Sequence, residues 1–104
     1  MGIDVLLLIN EEDISYLRAS IRMQREKKLL LLLFPKEYWR GKALSYDFKG
    51  NYCKLISLTK KYLEESDDKE FHYCLKWINS VFDFFDLGIQ KQEEGLNPKI
   101  YISW

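Results

Sequence analysis

The sequence predicts a mainly α-helical fold: a compact single domain, residues 1–104, of four to five helices with an extended C-terminal segment. Three observations carry this. Residues 11–28 have the end signals of a helix. Residues 48–65 place Phe48, Tyr52, Leu55, Ile56, Thr59, Tyr62 and Leu63 on one helical face. Residues 68–87 place Phe71, Cys74, Leu75, Ile78, Val81, Phe82 and Phe85 on another. The alternative is α+β, with a small sheet from two Leu-rich runs and residues 100–104.

Taken in order, residues 5–9 are short, continuous and apolar, a pattern that fits a buried strand or a buried helix segment. Leu dominates the run and favours helix. For residues 11–28, Asn10 suits an N-cap. Glu11, Glu12 and Asp13 then face the positive end of the helix dipole, and Arg25, Lys27 and Lys28 the negative end. Ile14, Leu17 and Ile21 form a core stripe, bordered by Arg18, Arg22 and Arg25 at i, i+4, i+7. Residues 29–34 repeat the ambiguity of residues 5–9 and again lean to helix. Pro35 stops that element, and residues 36–44 form a short helix weakened by Gly41.

The helix over 68–87 reads as the centre of the core, with Ser66 or Asp67 as its cap and Gly88 as its C′ residue. Phe71, Ile78, Phe82 and Phe85 are expected to be buried on it. Asn97-Pro98 marks a turn. Residues 100–104 alternate and favour an edge strand or an extended segment lying on the core. This arrangement predicts well over half of the residues in helix.

Charge is sorted along the chain. Residues 1–13 hold four acids and no Lys or Arg. Residues 14–61 hold twelve Lys and Arg against three acids, and residues 62–104 hold nine acids against four Lys. The net charge is zero, so the asymmetry speaks about partners rather than fold. Apolar residues make up 47% and aromatics 15% of the chain, which excludes disorder over most of it.

No Gly-rich phosphate loop, GxSxG, HExxH or Walker lysine occurs. His72 is the one histidine, and its i+2 spacing to Cys74 turns the two apart on a helix. Cys53, His72 and Cys74 have neither the count nor the spacing of a zinc site. Two cysteines do not make a disulfide framework, which fits a reduced, cytoplasmic protein. No apolar run reaches the roughly 18–20 residues of a membrane span. The first residues lack the basic start and cleavage pattern of a signal peptide. No cofactor and no metal is expected.

Asp83 and Asp86 stand out. At i, i+3 in the last turn of the expected helix they repel one another and oppose its dipole. Local stability does not explain that placement. A patch for a basic partner does, extended by Glu93 and Glu94. The functional expectation is a small non-catalytic protein that binds and neutralises or regulates another macromolecule, with the size and type of immunity proteins, antitoxins and phage inhibitors. Its partner is expected to be a protein with a basic surface. The alternative is a nucleic-acid-associated regulator using residues 18–61, with Arg18, Arg22, Arg25, Lys27, Lys28 and Arg40 on phosphates.

Overall fold

The structure, a computed structural model, describes residues 2–20 and 24–104. Strands β1 (Gly2–Ile9) and β2 (Glu12–Ser20) come first, then helix α1 (Gln24–Leu33), a 3₁₀ turn (Lys36–Trp39) and the short strand β3 (Leu44–Ser45). Helices α2 (Tyr52–Glu64) and α3 (Phe71–Glu93) and strand β4 (Lys99–Ser103) complete the chain. The strands form one antiparallel sheet in the order β2-β1-β4-β3. The fold is therefore α+β, with half of its residues helical and a quarter in strands, not a mainly α domain of four to five helices.

The largest correction concerns residues 11–28. Asn10 and Glu11 have φ of 51° and 69°, the left-handed pair of a two-residue hairpin turn. Asn10, suited to a cap by residue type, serves that turn instead. The misleading stripe has a specific cause. Leu7 pairs with Ser15 but Leu8 with Asp13, so Ile14 is an extra residue, a β-bulge. The bulge lets Ile14 and Leu17, three apart, both pack against the core. A strand without a bulge cannot do that, and a helix does it routinely. Ile21 and Arg22 of the expected helix lie outside the described residues.

Residues 5–9 belong to β1, not to a helix. β1 lies between β2 and β4, with Ile3, Val5 and Leu7 fully buried toward the helices and Leu6 and Leu8 half-buried on the opposite face. A central strand carrying Leu on both faces reads as a continuous apolar run. On that opposite face Tyr16, Leu6 and Tyr101 stand in register across β2, β1 and β4. β4 is no edge strand: it pairs with both β1 and β3.

The second Leu-rich run is helical. Leu29, Leu30 and Leu33 are buried, while Leu31 and Leu32 face out. No glycine ends α1. Pro35 follows it, and side chains from later segments satisfy its last carbonyls: the Tyr46 hydroxyl donates to the Leu33 carbonyl at 2.9 Å and the Trp39 indole to that of Phe34 at 2.7 Å. Residues 36–44 hold only the 3₁₀ turn and then β3.

Helix α3 is the centre of the core, as its pattern implies. Its buried side is Cys74, Trp77, Ile78, Val81, Phe84, Phe85 and Gly88. The Phe85 ring lies 5.2 Å from that of Phe48, 5.8 Å from Tyr46 and 6.2 Å from Phe34. Phe71 is 44% exposed, because the first turn of α3 extends past the core, and Phe82 is half-buried against Tyr52. The Trp77 indole donates to the Arg18 carbonyl at 2.9 Å, covering part of the free edge of β2.

Candidate functional site

Helix α3 does not end near Leu87. It runs to Glu93 and passes straight through Gly88. Glycine is there because Phe48 packs directly on it: a Cβ would lie 2.5–2.7 Å from three atoms of that ring. Gly95, with φ of 83°, caps the helix just past its end. The Gly95 N–H donates to the Gln92 carbonyl and the Leu96 N–H to that of Lys91, both at 3.0 Å, the two-bond glycine cap.

This moves the candidate acids relative to the dipole. Asp83 and Asp86 sit in mid-helix, where the dipole is not felt. Glu93 and Glu94 occupy the unfavourable end, and Lys91 offsets Glu94 at 3.2 Å. Asp83, Asp86 and Glu93 fall on one exposed stripe with Asn79 and Gln90, at spacings of four and three. Ten residues of helix put Asp83 and Glu93 about 15 Å apart along the axis. None of these three acids makes an ion pair among the described residues.

The basic residues are divided among separate elements. Arg18 is on β2, pointing away from the helices, 3.7 Å from Asp4. Arg25 is in the first turn of α1; its guanidinium donates to the Tyr62 carbonyl, lies 4.6 Å from the Tyr62 ring centre and meets Glu70 at 3.4 Å. Lys27 approaches the Trp104 ring at 5.7 Å. Lys28 and Arg40 are exposed. Arg18 and Arg25 therefore share no helical stripe, and Arg22 lies outside the described residues.

Two features escape a reading of the sequence. The first is a cleft between α1 and α2, with Leu29, Leu32, Leu58 and Tyr62 below and Arg25, Lys28, Lys61 and Glu65 at its rim. The five consecutive leucines of residues 29–33 are its one visible signal, since such a run on a helix cannot turn wholly inward.

The second is Glu26, 0% exposed in the first turn of α1. The Tyr62 hydroxyl donates to Oε2 at 3.4 Å, and Oε1 has no hydrogen-bond partner among the described residues. Burial pushes this carboxyl above its ordinary value of 4.5, while the Ser20 backbone, the Tyr73 and Tyr62 hydroxyls and Arg25 pull the other way. The folded state thus holds the proton more tightly than the unfolded chain. Stability from this site is full below the ordinary carboxylate range and falls as pH rises through the raised folded value. Glu26→Gln is expected to melt higher than the parent at neutral pH, with the gap closing in acid. A variant that melts lower at neutral pH would show the carboxylate to be net favourable.

His72 and Cys53 are exposed and Cys74 is buried. Among the described residues no group of three or more His, Cys, Asp or Glu is placed to hold a metal ion, and no helix is long and apolar enough to cross a membrane. The described residues form a two-layer α+β domain with an acidic stripe on α3 and a basic cleft between α1 and α2. Comparison with protein-family models, with curated proteins and with solved structures gives no match.

Proposed function

We propose that this chain is a non-catalytic cytoplasmic protein that binds another macromolecule by charge complementarity and neutralises or regulates it, as immunity proteins, antitoxins and phage inhibitors do. The partner is a protein with a basic surface, and the contact is the outer stripe of α3. The observation that supports this is the set Asp83, Asp86 and Glu93: three acids on one exposed stripe, none of them ion-paired among the described residues, in a chain of sixteen Lys and Arg. A row of like charge costs a little stability locally and raises the encounter rate with a basic partner.

Asp83→Asn/Asp86→Asn is expected to leave stability within about 0.5 kcal/mol of the parent, slightly higher if anything, because only a repulsion is removed. A clear fall in melting temperature would reveal internal pairs and remove the motive for an external one. The binding test uses the tagged protein and the triple variant Asp83→Asn/Asp86→Asn/Glu93→Gln as baits in the source cell. A basic protein retained by the parent, and lost both in the variant and at high salt, supports the reading. Identical capture by both baits, or capture of nucleic acid alone, overturns it.

A further inference from the structure

We propose that the cleft between α1 and α2 is a second binding surface, opposite in sign to the α3 stripe, and that it takes an acidic peptide segment of a partner protein. One bulky apolar side chain of that segment fills the notch, and its carboxylates meet Lys28, Lys61 and Arg25. Leu32 lines the notch while 44% exposed, and Leu58 beside it is half-buried. An exposed leucine alone is ordinary. One that lines a concave site ringed by three cations and a single acid, Glu65, is not.

The cations differ in role. Arg25 is held in place by the Tyr62 carbonyl and by Glu70, so it is a fixed wall already half neutralised. Lys28 and Lys61 are exposed and make no ion pair among the described residues. Against the one rim acid, Glu65, these two leave a net positive charge for an acidic segment to meet.

Size and surface select the occupant. The notch holds about 110 Å³, close to the share of four liquid waters. That accommodates one aliphatic or aromatic side chain, not the length of a lipid acyl chain. A nucleic acid would use the cations but leave the leucines uncovered. It could not stack on Tyr62 from the side where the Arg25 guanidinium already lies over the ring. A helix or extended peptide that alternates acids with a single anchor uses both parts of the cleft, the usual mode of recognition in a groove between helices.

The probe is a fluorescein-labelled, helix-forming peptide of about four turns, built from Glu and Ala around one central Leu. Fluorescence anisotropy against the full chain should show saturable binding, and amide shifts should map to α1 and α2. Replacing the peptide Leu by Ala, or making Lys28→Glu/Lys61→Glu in the protein, should each weaken binding at least about tenfold. Leu32→Ser, at a largely exposed position, should weaken it while lowering the melting temperature by at most a few degrees. Asp83→Asn/Asp86→Asn should leave it unchanged, which separates this cleft from the α3 stripe. Absence of saturable binding, binding insensitive to the charge reversal, or tighter binding of duplex DNA or anionic vesicles would overturn the proposal.

Discussion

Phe85→Ala is expected to cost about 3–5 kcal/mol, enough to unfold much of a small domain at ambient temperature. Phe85 is fully buried, and its ring touches those of Phe34, just after α1, and of Tyr46 and Phe48, both in the connection between β3 and α2, so its neighbours come from two separate segments. Truncation therefore leaves a cavity whose walls are anchored independently and cannot collapse together. Urea denaturation of the variant measures the loss. The same change at Phe82, half-buried against Tyr52, should cost distinctly less. Equal losses at the two positions would mean that the aromatic hub is not where the core is held.

Gly88→Ala should destabilise the protein although it improves the helix. Ala is favoured over Gly in a helix interior by about 1 kcal/mol. Against that, the new methyl would lie 2.5–2.7 Å from the Phe48 ring. That ring is fully buried, with Tyr46, Phe85 and Phe84 at centroid distances of 4.9, 5.2 and 5.9 Å, so it has nowhere to go. Overpacking of this kind costs about 1–3 kcal/mol and outweighs the propensity gain. Phe48→Leu should relieve part of the clash. The double variant should then be more stable than the sum of the two single losses implies. A Gly88→Ala protein more stable than the parent would contradict the contact.

Gly88 also shows what the sequence could not disclose. A glycine after a strong helical face most often marks the end of the helix. Here the reason for it is a ring forty positions earlier in the chain, and no local pattern reports that. The faces of α2 and α3 were legible in large part because burial there follows the helical period, although Ile56 and Leu75, on the borders of those faces, are exposed. Phe71 lies on the same face as Ile78 and is exposed all the same, since a helix can outrun the core it packs on. β2 was misread because one bulge residue gave it a helical spacing.

The site follows the same division. Which residues are acidic or basic was plain, and so was the charge sorting along the chain. Which charges meet was not: Arg25 and Glu70 pair across forty-five positions. Asp83 and Asp86 lie in mid-helix rather than at its end, and what sets them apart is their shared exposed stripe. The cleft could not be foreseen, because it exists only where α1 and α2 come together.

The place of β4 bears on how the chain reaches this structure. β1 can pair early with β2 across a two-residue turn, but its other side waits for residues 99–103, and Asp4 faces Ser103 in the finished sheet. Pairing so distant in sequence is slow to form, because loop closure must precede any contact that rewards it. Until then β1 carries an open edge lined with Val and Leu, the kind of strand that recruits another chain. A ribosome making this protein would hold an unfinished sheet until nearly the last of these residues had emerged. That interval, rather than the native state, is when the molecule is most exposed to aggregation.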